Sequence, residues 1–235
     1  MVAIVTGGSK GIGLAIARAF VDRGMQVAIS ARSDTDLATA VQQLGGGDRA
    51  AAIRADVQHA ENAERLIRET FQRFGGLDVL VNNAGVGLMA PVADMPIDMW
   101  RQVMDTNLTG VFYCCHAAIP ELRRRGGGYI VNISSLAGKN SFVGGGAYCA
   151  SKAGLNAFSE ALMQEVRHEN IRVSYVMPGS VATEFGHAPG APRGDDSWKL
   201  AAEDVAQVVV DLVTLNTRAL ASRVELRPSR PPKKP

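Results

Sequence analysis

The chain has few of the residues that mark metalloproteins or disulfide-stapled domains: three cysteines in 235 residues, Cys114, Cys115 and Cys149, and four histidines. No C-x-x-C pair occurs and adjacent cysteines rarely bridge, so neither a metal site nor a disulfide framework is expected, and a reducing cytoplasm is the default compartment. Charge of one sign is also missing, since 25 Lys and Arg against 23 Asp and Glu leave a formal net charge of +2. A dedicated nucleic-acid binder carries a concentrated basic stripe; here the main basic runs are Arg123-Arg124-Arg125 and Lys233-Lys234. No apolar run approaches the ~20 residues needed to cross a bilayer, and no basic-then-apolar leader opens the sequence. The expectation is a cytoplasmic protein with no nucleic-acid and no membrane partner.

What is abundant is glycine, 25 residues, in a chain that is 46% hydrophobic. That length and composition suit one large core rather than two domains. Short β-rich runs alternate with amphipathic stretches. Strands are expected at 2–6, 26–30, 50–55, 77–81, 129–133, 171–176 and 220–226. Helices are expected after the first glycine turn, over 34–44, and through Ala63, Leu66, Ile67, Thr70, Phe71 and Phe74, which follow the i, i+3, i+4 pattern. A long helix is expected to bury Leu108, Val111, Phe112, Cys115, Ile119 and Leu122, with Pro120 as a kink. One more helix carries Tyr148, and the last covers 203–215. The continuous apolar character of 77–81 suits a strand covered on both faces. This alternation predicts an α/β fold, a doubly wound parallel sheet with helices on both faces and its site at the C-terminal strand ends.

Two features carry chemistry. Val2–Thr6 runs into Gly7-Gly8-Ser9-Lys10-Gly11-Ile12-Gly13 and then into a helical pattern, a strand, turn and helix whose glycines permit close backbone approach to a pyrophosphate and whose helix N-terminus offers free N–H donors. Its spacing, G-x-x-x-G-x-G, departs from the G-x-G-x-x-G of other dinucleotide sites. Further on, Tyr148 and Lys152 lie four residues apart and share a helix face, with Ser135 thirteen residues before the tyrosine. A free phenol titrates near ~10, so proton exchange near neutral pH requires a shift of roughly 2 to 3 units, of which a neighbouring ammonium supplies part.

On these blocks, together with Asp56-Val57, Asn82-Asn83-Ala84-Gly85, Asn107, Ser134-Ser135 and Pro178-Gly179-Ser180-Val181-Ala182-Thr183, all in order, the chain resembles the short-chain dehydrogenase/reductase family over nearly its whole length. The resemblance implies a single Rossmann-like domain over 1–226 with a Pro/Lys/Arg-rich tail over 227–235. It implies Tyr148 as general acid/base, Ser135 as the donor that fixes the carbonyl oxygen, Lys152 as the cation that lowers the tyrosine pKa and holds the nicotinamide ribose, and Asn107 as holder of a water leading from Lys152 to solvent. Ser134 rivals Ser135, and Asn107 has the plainer reading of a helix N-cap. The implied cofactor-binding set is Gly7, Ser9, Lys10, Gly11, Ile12 and Gly13 in the turn, Asp56 and Val57 at the adenine, Asn83, Ala84 and Gly85 at the adenosine ribose, Tyr148 and Lys152, and Pro178, Gly179, Val181 and Thr183 after the sixth strand.

Cofactor choice follows from charge. An NAD site places a carboxylate after the second strand, whereas a 2′-phosphate calls for cations. That position reads Ser30-Ala31-Arg32, and with Lys10 in the turn two cations converge, so NADP(H) is expected over NAD(H). The opposing possibilities are a slip that brings Asp34 or Asp36 into the position, and an Arg32 that is merely solvated. The substrate is expected to be a small carbonyl compound or alcohol. Residues 185–200 have the composition of a lid, with Trp198, Phe185, Met89 and Phe142 as pocket walls or ordinary packing, His187 a loop residue, and Cys149 either oxidation-prone or inert. The tail is expected to be extended and mobile. The expected assembly is a homo-oligomer, dimer or tetramer; the altered ending weighs against the tetramer, and the helices from about Trp100 and Ala147 offer a dimer face. Two rival functions remain: a 3-oxoacyl carrier-protein reductase whose Arg123, Arg124 and Arg125 dock an acidic carrier, and a non-catalytic NADP(H)-binding regulator.

Overall fold

The computed structural model describes residues 1–186 and 195–232. His187 and the central part of the expected lid lie outside the described residues, as do Lys233 and Lys234. In chain order the elements are β1 (Val2–Thr6), α1 (Gly11–Asp22), β2 (Gln26–Ala31), α2 (Asp34–Gln43), β3 (Ala50–Arg54), α3 (Ala60–Phe74), β4 (Val79–Asn82), α4 (Ile97–Met104), α5 (Gly110–Arg125), β5 (Gly128–Ile133), α6 (Gly146–Val166), β6 (Ile171–Pro178), α7 (Ala202–Thr214) and β7 (Arg223–Leu226). The strands form one sheet in the order β3-β2-β1-β4-β5-β6-β7, with every pairing parallel.

Strand composition explains the layering. All five residues of β1 are buried, and alternate side chains enter opposite cores. Ala3 and Val5 pack with Ile16 and Phe20 of α1 and Val209 of α7, while Ile4 packs with Leu66 of α3, Val111 of α5 and Leu155 of α6. Helix ends obey local chemistry. Ser33 caps α2 by accepting from the Asp36 amide at 3.2 Å. Gly75 closes α3 in the left-handed region at φ +76°. The chain winds outward from β1 to β3 on one side, then β4 pairs with the other side of β1, so the switch crevice opens at the C-terminal ends of β1 and β4.

Several expectations need correction. The long helix is two helices joined by a π-helical turn, Asp105–Thr109. Phe112 points outward and is 47% exposed, while Cys114 and Ala118 take the core positions. Phe112 lies about 100° around α5 from Val111, at the edge of the stripe that Val111, Cys115 and Leu122 define. The fourth strand starts at Val79 and the seventh at Arg223, so the apolar residues Leu77 and Leu220 precede their strands. Helix α3 buries Leu66, Ile67 and Thr70 but leaves Phe71 43% exposed. Among the described residues no helix is long and apolar enough to cross a membrane.

Candidate active site

The glycine turn between β1 and α1 has a shape that side chains would destroy. Gly7 and Gly11 have φ of +63° and +53°. A Cβ on Gly13 would sit 2.3 Å from the Gly7 carbonyl oxygen, and one on Gly7 would sit 2.9 Å from the Ala84 Cα. Asn83 fixes the turn from the other side of the crevice. Its side-chain amide donates to the Thr6 and Gly7 carbonyls at 2.9 and 3.1 Å, and the Thr6 hydroxyl accepts from the Asn83 and Ala84 amides, each at 3.0 Å. Helix α1 starts here with no side-chain cap and no acidic residue in its first turn. Its N-terminal amides therefore present unshared donors and positive dipole to an anion, and this cradle fits the pyrophosphate of a dinucleotide.

At the far end of the crevice, charge is arranged differently from the expectation in one respect. Lys10 is paired with Asp36 at 2.8 Å, and Asp34 with Arg54 at 3.3 Å. Arg32 is exposed, lines the cleft and has no ion pair or hydrogen bond among the described residues. The cations do not converge equally, because Asp36 already neutralises one of them.

The reacting end lies where β5 and α6 meet. Ser135 follows β5 and its hydroxyl accepts from the Ala137 amide at 3.1 Å. Ser134 and Ser135 both border the cleft, but the Ser134 hydroxyl is engaged in donating to the Asn156 side-chain oxygen at 2.6 Å, while Ser135 is the serine that hydrogen-bonds Tyr148. Tyr148 and Lys152 are 8% and 4% exposed. Burial pushes the Tyr148 phenol above its ordinary value, a hydrogen bond with Ser135 pulls it part of the way back, and Cys149 opposes that pull. Burial pushes the Lys152 ammonium down to about 8. Its Nζ donates to the Ile133 carbonyl at 2.9 Å.

The cleft brings together Ser9, Lys10, Gly11 and Ile12 from the turn, Asn83, Ala84 and Gly85, the Ser135, Tyr148 and Lys152 group, and Pro178, Gly179, Val181 and Thr183. Asp56 and Val57 are not part of its wall. Asp56 accepts from the Gln58 amide at 3.1 Å, and Val57 lies so close to Gly110 that a Cβ there would be 2.8 Å from the Val57 carbonyl oxygen. Asn107 is buried behind the wall. Its side chain accepts from the Val86 amide at 2.8 Å and donates to the Val86 carbonyl at 3.0 Å and the Ser151 hydroxyl at 3.1 Å, so it is a clasp between the loop after β4 and α6 and not an N-cap. Met89, Phe142, Phe185 and Trp198 all line the cleft, and the Phe185 ring lies 5.9 Å from that of Tyr148.

Two contributors escaped the sequence reading. Asn156, four residues beyond Lys152 on the same helix face, ties α6 to Ser134 and to the Gly138 carbonyl at 3.3 Å. The helical spacing that singled out Lys152 also pointed to it. Arg227, Pro228, Pro231 and Pro232 border the cleft, so the described part of the tail runs beside the site.

This geometry has counterparts. A family model described as short chain dehydrogenase matches residues 1–192. The chain belongs to the short-chain dehydrogenase family. As a short-chain dehydrogenase it is an oxidoreductase of CH–OH and C=O groups. It is 37% identical over 186 residues to a 3-oxoacyl-(acyl-carrier-protein) reductase of Synechocystis sp., covering 78% of this chain and 75% of that relative. Among solved structures, the closed form of serine dehydrogenase complexed with NADP+ superposes with a TM-score of 0.87 at 31% identity, covering 96% of this chain and 94% of that one. An actinorhodin polyketide ketoreductase with NADPH gives 0.88 at 31% identity, covering 97% and 95%.

Proposed function

We propose that this short-chain dehydrogenase is an NADP(H)-dependent oxidoreductase that transfers a hydride between the nicotinamide and a small carbonyl compound or secondary alcohol, with Tyr148 as general acid/base. The observation that carries the reading is the meeting of Ser135, Tyr148 and Lys152 in the cleft that starts at the uncapped glycine turn. The bound nicotinamide supplies the hydride to the carbonyl carbon in reduction and receives it in oxidation. Ser135 holds the carbonyl oxygen by donating a hydrogen bond to it, an interaction that strengthens as negative charge develops there. Tyr148 gives that oxygen its proton in reduction and takes it back in oxidation. Lys152 holds the ribose, and Asn107 keeps α6 against the loop after β4. Apolar Met89, Phe142 and Phe185 border the cleft near the reacting atoms, each still exposed.

Preference for NADP(H) is supported by Arg32, unpaired among the described residues where an NAD site would carry an acid, and by the NADP+ and NADPH bound in the two neighbours. The deciding experiment is titration with NADPH and NADH by nicotinamide fluorescence, followed by a screen of small carbonyl compounds. Tighter NADPH binding with carbonyl-dependent oxidation supports the reading; failure to bind either nucleotide removes it.

A second reading, reduction of carrier-bound 3-oxoacyl groups, is favoured by the Synechocystis relative. The basic triplet does not add to it. Arg123 pairs with Glu169, Arg124 with Glu121 and Arg125 with Asp78, at the opposite rim of the sheet from the cleft. Activity on carrier-bound but not free substrates would select it. Exposed Ile97, Trp100 and Phe112 on α4 and α5 form the face through which a homo-oligomer would assemble.

A further inference from the structure

The tail is built into the cleft. β7 lies beside β6 with Leu226 in register with Pro178, and the Gly179 amide donates to the Leu226 carbonyl at 2.7 Å. Past this bond the chain crosses the cleft rim. A Cβ on Gly179 would come within 3.2 Å of both the Pro228 Cδ and the Leu136 Cδ1, so Gly179 is the position that lets the tail lie against the segment after Ser135. Prolines at 228, 231 and 232 restrict the backbone, which lowers the entropy lost in holding the segment there.

This path brings Arg227 to the cleft wall. Glu225 accepts from two cations, Lys139 at 2.6 Å and Arg227 at 2.9 Å, so the cluster keeps one uncompensated positive charge. Arg227 meets Glu225 through one terminal nitrogen, while a guanidinium has five N–H donors in a fork suited to a carboxylate. β7 is two strands from β5, whose end carries Ser135, a lateral separation of ~10 Å. An extended arginine stem spans a large part of that gap. A substrate held by Ser135 and Tyr148 at its carbonyl would need to carry its anionic group only a few bonds away.

We propose that Arg227 is the specificity-determining residue of the cleft, binding an anionic group on the substrate, so that the preferred substrates are oxo acids and the corresponding hydroxy acids rather than neutral ketones and alcohols. The proposal rests on the Tyr148 reading of the site. The tail then acts as a recognition wall, and its single arginine at the cleft supplies what the apolar walls lack.

The test uses the full chain with NADPH and two matched pairs, 3-oxobutanoate and 4-oxopentanoate against their methyl esters. At least one acid should exceed its ester in kcat/KM by roughly 10- to 100-fold, the worth of a hydrogen bond to a charged group. Arg227→Gln should remove that advantage through KM and leave ester reduction and NADPH binding unchanged. Arg230→Gln, which removes the same charge from the same tail away from the cleft wall, should keep the advantage. Equal loss on acids and esters, an advantage that survives Arg227→Gln, or no reduction of any of the four by a protein that binds NADPH would overturn the proposal. Turnover that persists in Tyr148→Phe would instead overturn the catalytic reading, which separates the two failures.

Discussion

Lys152 Nζ lies 6.0 Å from the centre of the Tyr148 ring and donates its hydrogen bond to the Ile133 carbonyl. Against the expectation that the ammonium pulls the phenol down, burial and not Lys152 is the largest influence on Tyr148, and the lysine is anchored to the end of β5. Its burial is a cost of function.

That cost predicts a stabilised, inactive variant. The Lys152 pKa is lowered from 10.5 in the free group to about 8, so between these values the unfolded chain holds a proton that the folded one has released. Stability from this group therefore rises with pH across that window, and below it the folded protein bears the full cost of burying the ammonium. Lys152→Met should stabilise the protein at pH 7 by about 1 to 2 kcal/mol, net of the lost bond to Ile133. The gain should shrink towards pH 10.5, and carbonyl reduction should be lost. Urea unfolding at both pH values is the measurement, and a destabilised variant at pH 7 would refute the argument.

The phenol provides a spectroscopic prediction. In the difference between the ultraviolet titrations of the wild type and Tyr148→Phe, the midpoint should lie above the ordinary 10.0, because burial is the largest influence on Tyr148. Ser135→Ala should move it higher, since the Ser135 hydrogen bond favours ionisation. A midpoint below that of free tyrosine would show that the cation nearby outweighs burial. Tyr148→Phe should bind NADPH normally while its turnover falls by roughly 100- to 10,000-fold.

Much of this site was legible in the sequence because its parts are local. Tyr148, Lys152 and the overlooked Asn156 follow from spacing on one helix, and the glycine turn from composition around one strand end. The π turn at Asp105–Thr109 has no such signature, and Asn107 within it clasps Val86 and Ser151. The place of Arg227 was equally hidden, because it depends on the register of β7 against β6, a pairing between residues far apart in the chain. The thirteen-residue spacing to Tyr148 already favours Ser135 over Ser134, and the Asn156 partner of Ser134 adds a structural reason that spacing does not carry.

Cofactor discrimination should respond to two opposite changes. Arg32→Ala should weaken NADPH binding about 10- to 100-fold and leave NADH binding nearly unchanged, as a lost charge-assisted contact to a 2′-phosphate would. Asp36→Asn should tighten NADPH binding by a few-fold, because it releases Lys10 from its 2.8 Å ion pair. Parallel fluorescence titrations decide the matter. Equal weakening for both nucleotides in Arg32→Ala would remove the phosphate assignment.

The turn itself should tolerate no side chain at Gly13. The added carbon of Gly13→Ala would lie 2.3 Å from the Gly7 carbonyl oxygen and 2.4 Å from the Asn83 side-chain nitrogen, and the first of these is backbone. Relief requires movement of the strand-to-helix connection, so a loss of about 1 to 3 kcal/mol in stability is expected together with loss of nucleotide binding. Thermal unfolding with and without NADPH reads both.

β7 has a second consequence, for solubility. It is a four-residue strand at the sheet's edge, its outward residues are Arg223 and Glu225, and prolines without N–H donors follow at 228, 231 and 232. A short, charged edge that runs into prolines gives a second molecule little to hydrogen-bond to. Cutting the chain after Leu226 would remove the proline guard as well as the selectivity wall, leaving an enzyme that is less discriminating and more prone to associate edge to edge.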